Sequence, residues 1–109
     1  MRLLLDENVP KRLKQDFPEH EVYTVRDKGW NGIKNGPLLK LMLDGGFHAL
    51  LTFDKNLQHQ QNFIKYTLAV FVLHAPINRY VELTRLSPKV NAYLQEEILP
   101  TGPIIIKAV

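Results

Sequence analysis

Leu3-Leu4-Leu5-Asp6-Glu7-Asn8-Val9-Pro10 is the stretch on which the fold turns. An unbroken apolar run this short, ending abruptly on an acid, suits a strand covered on both faces, as in a parallel sheet. Phe47 to Phe53 repeats the pattern and ends at Asp54. Between these runs, Val9, Leu13 and Phe17 recur at i, i+4 and i+8, which predicts an amphipathic helix stopped by Pro18. Glu21 to Val25 is rich in β-branched and aromatic residues and reads as a strand, followed by a loop from Arg26 to Gly36 with two Asn-Gly pairs. Pro37 opens a buried helix through Leu43, and Gly45-Gly46 ends it.

The second half continues the alternation. A short helix is expected over Leu57 to Ile64 and a fourth strand over Ala69 to Leu73. Asn78 to Leu86 reads as a helix burying Val81, Leu83 and Leu86, with Ser87-Pro88 breaking it as a new N-cap and first helical residue. Val90, Leu94 and Ile98 form the next apolar stripe, and Pro103 to Val109 supplies a last strand. Alternating strands and helices predict an α/β fold whose sheet of about five strands is mostly parallel.

Composition sets the outer limits. The 109 residues are expected to form one domain, 1–109, and are 45% hydrophobic and 23% charged, which excludes intrinsic disorder. With no Cys, disulfides, zinc-thiolate sites and cysteine nucleophiles are excluded. The net charge of +3 is spread over both halves, so a nucleic-acid partner is permitted and not required. No apolar stretch approaches the roughly 20 residues that span a bilayer, and Met1–Leu5 runs straight into Asp6 unlike a signal peptide. A cytoplasmic protein is expected.

In an open parallel sheet the ligand crevice lies beyond the carboxyl ends of the strands. Asp6 and Asp54 both sit at that edge. If their strands are neighbours, the carboxylates converge and must be protonated, hydrogen-bonded or neutralised by a hard cation such as Mg²⁺. The competing reading is simple: each acid precedes an expected helix and caps it.

Three stretches, in order, carry a resemblance. They are Leu3-Leu4-Leu5-Asp6-Glu7-Asn8-Val9-Pro10, Thr24-Val25-Arg26-Asp27 with Gly29 and Gly32, and Leu50-Leu51-Thr52-Phe53-Asp54-Lys55-Asn56. Together they resemble the small PIN-like proteins of bacterial toxin–antitoxin loci, of VapC type. The resemblance implies a three-layer α/β/α PIN-like sandwich and an acidic, Mg²⁺- or Mn²⁺-dependent endoribonuclease centre. Asp6 and Asp54 carry over as metal ligands. Two further positions that the family fills with acids hold Asn35 and Asn56 here, amides that offer an oxygen and no charge. That set fits one metal better than two. The expected partners are RNA, an antitoxin-like protein or a second copy of the chain in a homodimer, with no membrane involved. The alternative is a catalytically inactive PIN-like module that binds such a partner.

Other residues have two readings each. Trp30 either stacks a nucleobase or packs its loop onto the domain. Lys11, Arg12 and Lys14 either touch phosphates or form a solvated helix face. Arg26 either steadies a phosphate or pairs with Asp6, and Glu7 reads as a surface charge. His20, His48, His59 and His74 are scattered and form no metal motif. Neither a nucleophile elbow nor a Gly-rich phosphate loop is present.

Overall fold

The apolar runs become five parallel strands. The computed structural model describes residues 1–59 and 66–108. It contains β1 (Arg2–Leu5), β2 (Glu21–Thr24), β3 (Ala49–Thr52), β4 (Ala69–His74) and β5 (Gly102–Lys107), in the order β2-β1-β3-β4-β5. Every neighbouring pair is parallel. Around the sheet lie α1 (Val25–Lys28), α2 (Asn35–Asp44), α3 (Tyr80–Leu83) and α4 (Ser87–Leu94), with 3₁₀ turns at Lys11–Asp16, Lys55–His59 and Thr84–Leu86.

Alternation along the strands divides the core into two layers. Leu3, Leu5, Leu51, Phe71 and Leu73 pack against Leu13, Phe17, Leu83, Leu86, Val90 and Leu94. Leu4, Leu50, Val70 and Val72 face the other way, onto Val25, Leu38, Leu39, Met42 and Leu57. Leu3, Leu4 and Leu5 are therefore each 0% exposed, as expected of a strand sandwiched between two helical layers. Burying each contributes about 2 kcal/mol. The α/β/α sandwich on a five-stranded parallel sheet is the architecture expected from the sequence.

Several elements depart from expectation for identifiable reasons. Val9, Leu13 and Phe17 are buried as their spacing requires, but the segment is a six-residue 3₁₀ turn and no α-helix. It is confined by Pro10 at its start and by Phe17, which leaves helical geometry ahead of Pro18. The expected loop from Arg26 to Gly36 is shorter, because α1 occupies Val25–Lys28 and α2 begins at Asn35. Thr24 and Asp27 form a reciprocal capping box on α1, and Gly29 ends it at φ 73°, a left-handed conformation that glycine adopts without strain. The helix expected over Leu57–Ile64 begins earlier, as the 3₁₀ turn Lys55–His59, and its remainder lies outside the described residues.

The helical segment is broken as expected, with α4 starting at Ser87 and Pro88 in its first turn, but the N-cap is Leu86 and not Ser87. Ser87 is helical at φ −58°, ψ −38°, makes no side-chain cap and sends its hydroxyl elsewhere. Val81, expected in the core, is 62% exposed, while Tyr80 packs inward. Ile98 lies beyond α4 and is 81% exposed.

One carboxylate explains much of that rearrangement. Asp16 accepts hydrogen bonds from the Tyr80 hydroxyl (2.8 Å), Thr84 Oγ1 (2.7 Å) and Ser87 Oγ (2.6 Å). Its carbonyl accepts from Asn91 Nδ2 at 3.1 Å. The turn after β1 and the helices before β5 are thereby fastened together on one face of the sheet. The β1–β2 and β4–β5 connections use that same face yet move in opposite directions across the sheet, so their crossovers have opposite hands. One of them departs from the right-handed rule. Among the described residues no helix is long and apolar enough to cross a membrane.

Candidate functional site

The strand order creates a crevice at a defined place. From β1 the chain moves toward β2 at one edge; from β3 it moves toward β4 and the other edge. The carboxyl ends of β1 and β3, which are hydrogen-bonded neighbours, form the point where the order reverses. Asp6 follows β1 directly, and Asp54 comes two residues after the end of β3.

Register then determines which atoms meet. Leu5 is paired with Leu51, so the Asp6 amide donates to the Leu51 carbonyl at 2.9 Å and the next residue on β3, Thr52, lies beside Asp6. Thr52 is 0% exposed. Its Oγ1 donates to Asp6 Oδ2 at 2.7 Å and accepts from the Asp54 amide at 3.0 Å. Asp6 Oδ1 accepts from the Glu7 amide at 2.8 Å. Asn8 braces the same junction, with its Oδ1 accepting from the Phe53 amide at 3.1 Å. Asp54 Oδ1 accepts from the Asn56 amide at 3.0 Å and its carbonyl accepts from Leu57, which opens the 3₁₀ turn that follows.

The electrostatics follow from this placement. Burial pushes the Asp6 carboxyl above its ordinary value of 3.8; the Thr52 hydroxyl and the Glu7 amide oppose the rise, and the charges of Asp54 and Glu7 add to it. A partly buried carboxylate lifted in this way, beside a second acid in a crevice, has the features of a functional position. It is relieved either by a proton or by a cation.

Each Asp6 oxygen takes one hydrogen bond and retains one lone pair, and Asp54 Oδ2 accepts none among the described residues. Such a donor set fits a single hard cation held by one or two carboxylates and completed by water. Among the described residues no group of three or more His, Asp or Glu side chains gathers there, so water would have to supply the remaining ligands. Glu7 is turned aside, its Oε1 accepting from the Gly32 amide.

Asn35 starts α2, Asn56 lies in the 3₁₀ turn, and neither side chain hydrogen-bonds to Asp6 or Asp54. Asn56 contributes only its backbone amide.

A cleft of about 390 Å³ opens on the β2 side of Asp6, away from Asp54. Asp6, Glu7, Pro10, Lys11, Arg26 and Asn31 are among its lining residues. Arg26 makes no ion pair with Asp6. Of the three cations in the preceding turn, Arg12 covers the Tyr80 ring at 4.3 Å and Lys14 binds Asp27 at 2.5 Å. Trp30 packs edge-on against Phe47, ring centres 5.7 Å apart, beneath Lys28. That favours the packing role over a nucleobase platform. His48 Nδ1 accepts from the Arg2 amide, while the His59 side chain lies outside the described set.

Thr52 and Asn8 carry more of the site's geometry than sequence reasoning assigned them. The signal for Thr52 was available: a lone hydroxyl within an apolar strand, two positions before an acid, needs a buried partner. No protein-family model, curated protein or solved structure matches this chain.

Proposed function

We propose that this chain is a PIN-like, metal-dependent endoribonuclease of the toxin type, acting in the cytoplasm, with Asp6 and Asp54 as the ligands of one Mg²⁺ or Mn²⁺. The observation that carries the reading is the Thr52 hydroxyl between the two acids, which holds a partly buried Asp6, its carboxyl raised by burial, beside Asp54 where the strand order reverses. A bound cation would supply an activated water and neutralise charge developing on the phosphate. The chain's own residues do the positioning. Thr52 and the Glu7 amide fix the Asp6 carboxylate, and the Asn56 amide fixes Asp54 with its Oδ2 left open. Asn8 ties the two loops together at Phe53.

One observation favours the second reading, a PIN-like module that binds an antitoxin-like protein or RNA without turnover. Asp54 already caps a 3₁₀ turn through the Asn56 and Leu57 amides, and two positions that the resemblance would fill with acids hold the uncharged Asn35 and Asn56. Incubating end-labelled single-stranded RNA with the purified protein separates the two. The nuclease reading expects fragments that need Mg²⁺ or Mn²⁺, vanish with chelator and are absent for Asp6→Asn and Asp54→Asn. Cleavage that survives both substitutions, or none under any metal, overturns it.

A further inference from the structure

The cleft beside Asp6 contains two cations that the fold does not use. The turn Lys11–Asp16 presents Lys11, Arg12 and Lys14 within four positions, and the structure sorts them by partner. Arg12 lies on the Tyr80 ring and Lys14 is bound to Asp27, so both are committed to packing. Lys11 is exposed, lines the cleft and has no hydrogen bond or ion pair among the described residues. Arg26 lines the same cleft from the β2 side and is likewise without a side-chain partner among them.

That absence is informative, because two acids line the same cleft. Each takes hydrogen bonds from elsewhere, Asp6 from Thr52 and the Glu7 amide and Glu7 from the Gly32 amide, and neither pairs with Lys11 or Arg26. Lys11 and Arg26 are thus donors still open in the cleft, paired with neither of its acids. Both stand on anchored backbone. Lys11 follows Pro10, whose carbonyl accepts from the buried Leu13. Arg26 sits inside the Thr24–Asp27 capping box, with Gly29 closing the turn.

We propose that Lys11 and Arg26 form a grip for the phosphodiester backbone of single-stranded RNA, seating one nucleotide in the cleft next to Asp6. This rests on the nuclease reading above and assigns its positioning residues. The guanidinium offers planar paired donors that match phosphate oxygens, and the ammonium adds a point charge in the same cleft. Val9, Pro10 and Val25 give the cleft an apolar lining against which a ribose or base can rest. The volume is in the range of small-ligand sites, about 300–1,000 Å³, and accepts an unpaired nucleotide more readily than a duplex.

The test is fluorescence anisotropy with a labelled single-stranded oligoribonucleotide in chelator, repeated across a salt series. Wild type, Lys11→Ala, Arg26→Ala, Arg26→Lys and Asp6→Asn are compared. Each alanine variant should weaken binding about five- to tenfold and reduce the slope of log K against log salt by roughly 0.7, the loss of one phosphate contact. Arg26→Lys should keep the slope and recover only part of the affinity. Asp6→Asn, which removes cleavage under the nuclease reading, should bind at least as tightly as wild type. Unchanged affinity and slope in both alanine variants overturns the grip, and so does an affinity loss with no change in slope, which marks a structural effect. With metal present, normal KM for cleavage by both alanine variants refutes the grip and leaves the nuclease standing. RNA binding that follows the grip's pattern while wild type never cleaves supports the grip and removes the nuclease.

Discussion

Thr52→Val tests how the acid pair is built. Valine nearly preserves the volume of a residue that is 0% exposed, so little of its effect arises from a cavity. What disappears is the hydroxyl: the 2.7 Å bond to Asp6 Oδ2 and the 3.0 Å acceptor for the Asp54 amide. A hydrogen bond to a charged group contributes about 1.5–3 kcal/mol and an ordinary one about 1 kcal/mol, so a loss of roughly 3 kcal/mol at neutral pH is expected. The charged part depends on pH. Thr52 opposes the upward push of burial on Asp6, so the variant's Asp6 must rise further above 3.8. A group raised on folding stabilises most when protonated, and stability falls as pH climbs through its folded value. The Thr52→Val penalty should therefore shrink to about 1 kcal/mol below pH 3.8 and be largest at neutral pH. Urea melts of wild type, Thr52→Val and Thr52→Ser at both pH values measure this. Serine retains the hydroxyl, so any cost it has should be independent of pH. Equal Thr52→Val penalties at the two pH values would refute the argument that this hydroxyl sustains the Asp6 charge.

The same sign governs Asp6→Asn, which removes the cost of a buried charge. The variant should lose the fall in stability between pH 3.8 and the raised folded value, and chemical melts across that window should show it. Asp27 behaves oppositely: the Lys14 hydrogen bond, then the Thr24 amide, pushes it down to about 2. Its contribution is present above 3.8 and lost as pH falls toward about 2, so Lys14→Ala should flatten that acid limb of the stability profile. Asp16→Ala strips Tyr80, Thr84 and Ser87 of their shared acceptor. A loss of about 3 kcal/mol is expected, which lowers Tm by roughly 12 °C in a calorimetric scan.

The parts of this molecule that were legible in its sequence are those where one local pattern dominates. Leu3–Leu5 and Leu50–Leu51 are apolar on both faces because helices cover both, and the acids that follow them mark the sheet's carboxyl edge. Where two patterns compete, periodicity misleads. Val9, Leu13 and Phe17 repeat at helical spacing, yet prolines at 10 and 18 leave room only for a 3₁₀ turn. Val81 and Ile98 continue apolar stripes, but Tyr80 takes the inward position because its hydroxyl has Asp16 to bind. Ser87 looks like a cap and spends its hydroxyl on the same carboxylate. Bonds of this kind join residues more than 60 positions apart, and no local window contains both ends.

The candidate site divides along the same line. Asp6 and Asp54 could be placed at one edge from strand ends alone, while the strand order that makes them neighbours and the Thr52 bridge are tertiary facts. Asn35 and Asn56 have the spacing that the resemblance implies, and the structure places them in α2 and in the 3₁₀ turn, where neither side chain hydrogen-bonds to the acids. Lys11 could be separated from Arg12 and Lys14 only once their aromatic and acidic partners were known.

Whether the two acids hold a cation or merely cap turns is the question on which the account depends. Thermal melts of wild type, Asp6→Asn and Asp54→Asn over a MgCl₂ titration address it, with KCl matching the ionic strength. A ligand at ten times its Kd stabilises by about 1.4 kcal/mol, a rise of roughly 5 °C for a domain of this size. Wild type should show that saturable rise, and both variants should lose it. A flat titration in wild type, or an equal rise in all three proteins, would contradict the cation-binding reading.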